Sequence, residues 1–315
     1  MLAVSGGADS SALAVILHLL APRLGLILHA ASINHGLRAE AADDAAFARD
    51  LCCGLGIPCK ICVTDAGRYA DEKRVGIEEA CRLLRYSLLE KERQACGADG
   101  IALGHHVGDL SEDVLLRLVR GTGWPALGGM AARDDARHLL RPLLAVKTEA
   151  LRTLLVECGI AWREDSSNAD QRFTRNRFRH RILPLLRNEN PSLERSLFHL
   201  WHLARLDEAF WERRLDNLLA ATPWRKDALG IELPAVLLRD LPPAARLRVY
   251  MRAIHALQQD KEGGHTPCGQ ARADALLALD TALSQGRGNT CFQLPGRLEA
   301  RIVKGAILFR RTAER

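Results

Sequence analysis

The sequence predicts an α/β fold, a doubly wound five-stranded parallel sheet followed by a helical linker and a small C-terminal domain. Two observations lead to this prediction. Short apolar runs of strand length alternate with stretches of helical period through the first half of the chain, which is typical of a parallel sheet covered on both faces. Beyond residue 190 the pattern becomes helical and then mixed. We therefore expect a first domain over 1–190, a helical linker over 191–220 and a C-terminal domain over 221–315.

Apolar patterning, together with glycine and proline positions, locates the individual elements. We expect the five strands at 2–4, 26–33, 57–63, 101–103 and 139–144, the last at an edge because it contains Pro142. Helical patterns cover 12–17, 40–55, 77–96 and 109–120 in the first domain, and 193–219, 244–258 and 271–283 beyond it. Two short strands over 291–294 and 298–309 are expected to complete the C-terminal domain.

The composition permits a nucleic-acid partner without requiring one. The 315 residues contain 44 Lys and Arg against 38 Asp and Glu, which gives a net charge of +6 and a pI near 8.9. A solvated arginine-rich surface and an RNA-binding surface both produce such totals. The positions of the arginines are therefore more informative than their number.

The cysteines and the absence of long apolar runs favour a cytoplasmic protein. Nine cysteines without framework spacing are typical of reduced thiols. We find no secretory signal and no run long enough to span a membrane, so no membrane contact is expected. Cys59 and Cys62 form a single CxxC within a predicted strand, where their side chains would point to opposite faces. We interpret them as core thiols rather than as a metal or redox site.

The loop between the first strand and the first helix carries the strongest functional signal. Its sequence is Ser5-Gly6-Gly7-Ala8-Asp9-Ser10. The two glycines let the backbone turn tightly beside a bulky ligand, and the amides at a helix N-terminus favour negative charge. Ser5 and Ser10 add hydroxyl donors, and Asp9 is placed to bind Mg²⁺ beside phosphates. A plain glycine turn with a serine cap is the alternative interpretation.

Two further polar motifs follow other strands and are expected at the same sheet edge, where ligands of such sheets bind. Asn34-His35-Gly36-Leu37-Arg38 comes after the second strand and suits either a nucleotide contact or a simple βα turn. His105 and His106 follow the fourth strand, with Asp109 and Glu112 at the start of the next helix. Clustered imidazoles and carboxylates at a strand end are typical of a functional site.

Two charged segments lie elsewhere in the first domain. On the helix over 77–96, Glu79, Arg82 and Arg85 share helix faces, for which solvated salt bridges are the simplest explanation. Between residues 171 and 182, arginines alternate with two phenylalanines and Asn176, and only one carboxylate lies near them. We favour nucleic-acid contact over a solvated face for this second segment. Its arginines are Arg172, Arg175, Arg177, Arg179 and Arg181.

Taken in order, these motifs resemble the tRNA(Ile)-lysidine synthetases, a family of PP-loop ATP pyrophosphatases. The loop 5–10 matches the SGGxDS loop of the PP-loop superfamily. A second group of matches separates this family from other PP-loop enzymes and comprises Glu164-Asp165-Ser166-Ser167-Asn168, Arg175-Asn176-Arg177-Phe178-Arg179 and Leu183-Pro184. The resemblance is strong over 2–186 and implies a Rossmann-like PP-loop domain that binds ATP.

The resemblance implies an ATP-dependent ligase that acts on an isoleucine tRNA with a CAU anticodon. In that family the wobble cytidine becomes lysidine in two steps. ATP adenylates the C2 oxygen with release of pyrophosphate, and the amine of free lysine then displaces AMP. The implied cofactors are ATP and Mg²⁺, and the implied partners are the tRNA and L-lysine. The resemblance does not determine whether the protein forms a homodimer.

The resemblance also implies roles for individual residues. The catalytic residues would be Asp9, Asp109, Glu112 and Arg175, with Asp9 as the metal ligand. ATP would be bound by Ser5, Gly6, Gly7, Ala8, Asp9, Ser10, His35 and Arg38. The tRNA and the activated base would be positioned by Glu79, Arg82, Arg85, His105, His106, Asn168, Arg175, Asn176 and Arg179. The C-terminal domain would bind the tRNA away from the anticodon.

The chain departs from the family pattern after the two histidines. The family carries Asp-Asp-Gln-Ala-Glu-Thr where this sequence has Gly108-Asp109-Leu110-Ser111-Glu112-Asp113. Gly108 replaces an acidic residue, Leu110 replaces an amide and Asp113 replaces a hydroxyl. We therefore expect these three positions to alter how the chain binds the metal or lysine. Two alternatives remain. One is a tRNA-binding paralogue that has lost catalysis, and the other is a PP-loop enzyme such as a tRNA 2-thiolation enzyme, which would need cysteines near the nucleotide.

Overall fold

The computed structural model describes residues 1–38, 40–164, 171, 173–227, 229–259, 273–294 and 296–312. The chain divides into two compact units. The first comprises Met1–Leu116 and Gly129–Leu200, and the second comprises Arg117–Gly128 and Trp201–Arg315. Among the helices of the described residues, none is both long and apolar enough to cross a membrane.

A sheet of six strands in the order β3-β2-β1-β4-β6-β5 forms the centre of the first unit. All neighbouring strands pair in parallel except β5, which is antiparallel to β6. The five parallel strands correspond to those predicted from the sequence, but the edge position predicted for the fifth is wrong. This strand, β6, ends before Pro142 and lies between β4 and β5. The remaining strand, β5, was not predicted, because a two-residue edge strand of one arginine and one aspartate has no apolar run. The strands are β1 (Leu2–Ala3), β2 (Ala30–Asn34), β3 (Cys59–Val63), β4 (Ile101–Ala102), β5 (Arg133–Asp134) and β6 (Leu139–Leu140).

The helices of the first unit follow the strands in the predicted alternation. They are α1 (Ala8–Leu24), α2 (Ala41–Gly54), α3 (Ala66–Lys73), α4 (Ile77–Ala95), α5 (Val107–Val119), α6 (Thr148–Glu157), α7 (Thr174–Arg177) and α8 (Leu183–Glu189). A single π-helical turn, Phe178–Ile182, joins α7 to α8. Four of these helices, α3, α6, α7 and α8, were not predicted. The sequence of α3 is mostly polar, and its start is marked only by the Asp65 cap.

Apolar side chains cover the parallel sheet on both faces. On one face, Leu13 of α1, Ala48 of α2 and Leu155 of α6 share a buried cluster with β1 and β2. On the other face, Leu89 of α4 packs against a second cluster that includes Ile101 and its neighbours on β4 and β6. Successive residues of β1 and β4 alternate between the two clusters, as strand geometry requires. The predicted doubly wound α/β fold is confirmed.

The second unit contains an antiparallel sheet in the order β7-β8-β11-β10-β9. Its strands are β7 (Arg225–Lys226), β8 (Gly230–Pro234), β9 (Cys291–Leu294), β10 (Leu298–Val303) and β11 (Ala306–Arg311), and its helices α10 (Ala235–Arg239), α11 (Pro243–Gln259) and α12 (Ala273–Ser284). The long helix α9 (Leu193–Ala221) contributes to both units. The predicted bent strand over 298–309 is the hairpin of β10 and β11, and β7 and β8 were missed.

One buried polar network joins α11 to α12 within this unit. Arg246 donates to both oxygens of Asp280 at 2.6 and 2.8 Å, and the Tyr250 hydroxyl donates to Asp280 at 3.1 Å. Asp280 and Tyr250 are buried. The network is neutral and each partner is satisfied, so it can lie in the core without an uncompensated charge.

Candidate active site

The loop Ser5–Ser10 connects β1 to α1 at the carboxyl edge of the parallel strands. Helix α1 begins at Ala8, and Gly7 precedes it with an extended backbone and no side-chain cap. The first amides of a helix have no acceptor within the helix, so they remain available to an anion. The Ser10 hydroxyl donates to Gly7 O at 3.0 Å and accepts from the Ser5 amide at 3.1 Å, which closes the loop. A phosphate bound here would meet backbone donors and the positive end of the helix dipole.

Gly6 fixes the path of this loop. Its φ of +85° lies in the region that favours glycine, and a Cβ there would lie 3.2 Å from the Phe47 ring and 3.3 Å from Asp44 O on α2. Its carbonyl oxygen accepts the Arg163 amide at 2.9 Å. The Arg163 guanidinium also lies over the Phe47 ring at 5.5 Å. The loop is therefore held from both sides by packing within the chain.

Asp9 contributes an unsatisfied carboxylate to this loop. Its Oδ1 is buried and accepts no hydrogen bond within the part of the chain that the structure describes. Burial raises the pKa of Asp9, and Asp109 raises it further against the opposing effect of His106. A buried oxygen without a partner is costly, and a divalent cation would satisfy it. Asp9 therefore fits a Mg²⁺ ligand.

The surroundings of Asp9 limit how such a cation could be held. Among the described residues, no group of three or more His, Cys, Asp or Glu side chains could hold a metal ion. Mg²⁺ is commonly bound by one or two carboxylates together with substrate phosphates and water. A cation at Asp9 would accordingly need phosphate or water oxygens as its other ligands.

His106 bridges Asp9 and the start of α5. Its Nδ1 accepts the Gly108 amide at 3.0 Å, so the proton of the neutral ring lies on Nε2. Nε2 lies 3.4 Å from Asp109 Oδ2 and 3.6 Å from Asp9 Oδ2. The main-chain amide of His106 also donates to Asp109 Oδ2 at 3.0 Å. Because a Cβ at residue 108 would lie 2.6 Å from His106 Cε1, this ring position requires glycine there.

Two carboxylates and two guanidinium groups form a neutral cluster beside His106. Arg175 of α7 donates to Glu112 Oε2 at 2.6 Å and to Asp109 Oδ1 at 2.9 Å. Arg179 of the π-helical turn donates to Glu112 Oε1 at 2.5 Å and to Asp109 Oδ1 at 3.2 Å. Glu112 is 2% exposed, whereas both arginines keep about a third of their side-chain surface exposed. We call Asp109, Glu112, Arg175 and Arg179 the ionic cluster.

The ionic cluster keeps Asp109 ionised. Burial by itself would raise the pKa of Asp109, but His106 and Arg175 lower it below its ordinary value. Burial likewise disfavours the charge of Arg175, yet Asp109 and Glu112 raise its pKa. Asp109 and Arg175 are therefore charged at neutral pH, and the charge of each depends on its partners.

Comparison with known proteins assigns this chain to a family. Residues 1–186 match the family model of the PP-loop domain. A tRNA(Ile)-lysidine synthase of Nitratidesulfovibrio vulgaris is 44% identical over 324 aligned positions, which cover 98% of this chain and 91% of that protein. The chain belongs to the tRNA(Ile)-lysidine synthases. The family and the ATP-using PP-loop domain predicted from the sequence are confirmed.

Other comparisons agree with this assignment. A tRNA(Ile)-lysidine synthase of Bacteroides thetaiotaomicron is 38% identical over 93% of this chain and 70% of its own length. One from Solibacter usitatus is 35% identical, and the match covers 63% of that protein. Among solved structures, the U34-tRNA thiolase NcsA of Methanococcus maripaludis is 19% identical with a TM-score of 0.54, covering 66% of this chain and 70% of that one. The last likeness concerns the fold alone.

Two histidines at this synthase's sheet edge are held neutral. His35 follows β2, and burial together with Arg85 lowers its pKa to about 4. Its Nδ1 is buried and has no hydrogen-bond partner among the described residues. His105 follows β4, where burial, opposed by Asp109, lowers its pKa to about 4. Its Nδ1 accepts from Arg141 Nε at 3.1 Å.

Several predicted site residues of the synthase pair outside the ionic cluster. Glu79 accepts two hydrogen bonds of 2.9 Å from Arg82, the helix-face pair expected from their spacing. Arg38 pairs with Asp44 of α2 at 3.3 Å. The remaining three are Arg85, exposed on α4, Asn176, half-buried on α7, and Asn168, which lies outside the described residues.

The structure explains how the departures from the family pattern are accommodated. Gly108 gives the His106 ring its space, as described above. Leu110 is fully buried, and a Cβ at Gly129 would lie 2.8 Å from its side chain, so this change belongs to packing. Asp113 lies near Arg175 and contributes to raising its pKa. None of the three removes a member of the ionic cluster.

Two residues at the site were not among the predicted site residues. Arg141 follows β6 at the same edge as His105 and could have been found by the rule that ligands bind at strand ends. Thr148, at the start of α6, places its hydroxyl 3.1 Å from His106 Nδ1, and no sequence pattern marked it.

Cys59 and Cys62 point away from each other, as predicted. Cys59 interacts with Cys52 of α2, and Cys62 interacts with Glu92 of α4 on the other side of the sheet. Neither of these partners belongs to the ionic cluster or to the loop Ser5–Ser10. This placement gives no support to a thiolation mechanism that uses the pair.

Proposed function

We propose that this enzyme ligates L-lysine to C2 of the wobble cytidine in the CAU anticodon of an isoleucine tRNA, with ATP consumed to AMP and pyrophosphate. One observation supports this most directly. The phosphate-binding loop Ser5–Ser10, the unsatisfied Asp9 and the ionic cluster are connected through His106 within a few ångströms. The site therefore offers anion-binding and cation-binding groups side by side, which a reaction of a nucleotide with an ammonium compound needs.

In the first step, the C2 oxygen of the cytosine attacks the α-phosphorus of ATP and pyrophosphate leaves. The loop amides and Ser5 would bind the phosphate oxygens, and the fixed position of Gly6 would keep them in place without reorganisation. Asp9 would hold Mg²⁺, which lowers the negative charge that opposes attack on phosphorus. Arg38 and His35 would line the nucleotide.

In the second step, the lysine amine attacks C2, and the bond between C2 and the adenylate oxygen breaks to release AMP. The ammonium must lose one proton before attack, and the new C–N bond releases a second. Asp109 is a weak base because its pKa is low, so we assign it and Glu112 to binding the ammonium. The protons would then pass to water.

The ionic cluster would change partners during the reaction. Arg175 and Arg179 each pair with both Asp109 and Glu112 in the structure. A bound adenylate attracts the guanidinium groups, and a bound ammonium attracts the carboxylates. Exchange of these partners would conserve the charge balance while both substrates are held. The tRNA would be positioned by the remaining basic residues of this segment and, away from the anticodon, by the second unit.

The deciding experiment measures pyrophosphate release by the purified protein with ATP, Mg²⁺ and an isoleucine tRNA bearing CAU. We expect release that requires this tRNA, covalent lysine on the tRNA detected by mass spectrometry, and loss of both in Asp9→Ala. A tRNA that binds tightly without any pyrophosphate release would contradict the proposal and favour the non-catalytic paralogue. Sulfur instead of lysine on the tRNA would favour a thiolation enzyme.

A further inference from the structure

His105 and Arg141 follow two neighbouring strands, β4 and β6, at the carboxyl edge of the sheet. Strands β4 and β6 pair in parallel with Ile101 opposite Leu139, and the amide of Leu103 donates to Leu140 O at 2.9 Å. Both residues therefore lie next to each other at this edge of the sheet. Arg141 Nε lies 3.1 Å from His105 Nδ1.

The guanidinium of Arg141 is fixed by contacts other than His105. Only 7% of Arg141 is exposed. A terminal nitrogen of the guanidinium donates to Ala131 O at 2.6 Å. The main-chain amide of Arg141 donates to Ala132 O at 2.8 Å. Both acceptors come from the segment that leads into β5. Arg141 thus presents its Nε–H to His105 from a rigid position.

The chemistry of this contact determines the protonation of His105. A guanidinium can only donate hydrogen bonds, so Nδ1 must be the acceptor and must carry no proton. The groups that surround the ring are Asp109 of α5, Arg141, Arg175 of α7 and Arg85 of α4, so positive charges outnumber negative ones. A neutral imidazole with a bare Nδ1 carries its proton on Nε2.

We propose that Arg141 is a positioning residue that holds His105 as the Nε2–H tautomer, so that His105 donates a hydrogen bond to an oxygen of the bound substrates and does not accept a proton. The part that concerns the substrates depends on the function proposed above. The tautomer itself depends only on the contact between Arg141 and His105. The two parts are tested separately.

The tautomer is tested by NMR of the full chain labelled with ¹⁵N-histidine, without substrates. His105 signals are identified by their loss in His105→Gln. We expect Nδ1 to resonate as an unprotonated nitrogen and Nε2 as a protonated one, unchanged between pH 6 and 8. In Arg141→Met we expect a mixture of tautomers and a higher pKa of His105, because a fixed donor and a positive charge are removed. Arg133→Met, an exposed arginine of β5, is the matched control and should leave the spectrum unchanged.

A protonated Nδ1 in the wild-type chain, or an unchanged His105 signal in Arg141→Met, would overturn the assignment of the tautomer. Neither result depends on whether the protein acts on tRNA. Circular dichroism of Arg141→Met checks that the variant is folded, and a lesion confined to folding would move all histidine signals rather than those of His105.

The donor role is tested by pyrophosphate release. In His105→Gln the amide nitrogen reaches the place of Nε2 and can still donate, whereas in His105→Asn it reaches only the place of Nδ1. We expect Gln to retain about tenfold more kcat/KM than Asn. A higher KM for ATP in His105→Asn would place the acceptor oxygen on the nucleotide, and a higher KM for tRNA would place it on the cytosine. Equal losses in the two variants would overturn the donor role.

Discussion

Asp9 is proposed to take part in catalysis, and its buried carboxylate also lowers the stability of the fold. Its Oδ1 is buried without a partner, and burial and Asp109 raise its pKa. An acid whose pKa is raised in the folded chain contributes stability when protonated, and this contribution is lost as the pH rises through the folded pKa. Above its folded pKa, the ionised Asp9 therefore destabilises the fold.

From this we predict opposite effects of Asp9→Asn on stability and on activity. In EDTA at pH 7.5, the variant should unfold at a higher temperature than the wild type, because asparagine resembles the protonated acid. Pyrophosphate release should fall by about 100-fold or more. Differential scanning fluorimetry and the release assay measure the two effects, with the exposed Asp43→Asn of α2 as control. The stability difference should shrink towards pH 4, and a lower unfolding temperature at pH 7.5 would contradict the argument.

Glu112, in contrast to Asp9, stabilises the fold. It is 2% exposed and receives hydrogen bonds from Arg175 and Arg179. Replacing it by glutamine leaves both guanidinium groups without half of their compensating charge. We predict that Glu112→Gln lowers the free energy of unfolding by about 3 kcal/mol, at the lower end for broken buried pairs because the arginines reach solvent. Urea denaturation measures this, with the exposed Glu157→Gln of α6 as control. An unchanged urea midpoint would mean that the ionic cluster does not stabilise the fold.

At the scale of a single element, the first turn of α5 depends on Gly108. The His106 ring folds back over this residue so closely that a Cβ would lie 2.6 Å from Cε1. Because the ring bridges Asp9 and Asp109, moving it disturbs both carboxylates. We predict that Gly108→Ala lowers kcat roughly 10- to 100-fold while the protein stays folded.

The matched control for this prediction is Gly54→Ala in α2. A Cβ at Gly54 meets no heavy atom within 4 Å, so alanine there should stabilise the helix by up to about 1 kcal/mol and leave kcat unchanged. Thermal unfolding and the pyrophosphate assay distinguish the two glycines. If Gly108→Ala retained full kcat, the bridging position of His106 would not be needed for the reaction.

The elements also show where reasoning from the sequence ends. The strands and the loop Ser5–Ser10 were predictable because apolar runs, glycines and serines act locally. The partners of Arg175 and Arg179 were not. The sequence placed only one carboxylate near them and so favoured nucleic acid, whereas the fold brings Asp109 and Glu112 to them from more than 60 residues away. Such long-range pairs depend on how α7 packs beside α5, which no local pattern encodes.

At the scale of the whole molecule, the fold class was predictable and the second unit was only partly so. The parallel sheet follows from alternation alone, since few topologies satisfy it. In the second unit, Gly230–Pro234 forms β8 because it pairs with β11, and Arg225–Lys226 forms β7 because it pairs with β8. The charged pair has no strand pattern, and β8 is short and ends at Pro234, so pairing partners rather than propensity decide their conformation.

The second unit also offers the test of how the whole molecule binds tRNA. Arg301 and Arg310 are exposed on β10 and β11, on the face opposite the buried residues of those strands. If this face contacts phosphates, tRNA binding releases fewer counterions when an arginine that makes such a contact is removed. We predict that Arg301→Gln with Arg310→Gln raises the KM for tRNA, leaves the KM for ATP unchanged, and reduces the slope of log affinity against log salt by about one for each lost contact.

The control for this prediction is Arg23→Gln, because Arg23 is exposed at the end of α1, far from the loop Ser5–Ser10. An unchanged salt slope in the double variant would exclude this face of the second unit from tRNA binding, and would leave the basic segment around α7 as the surface to examine.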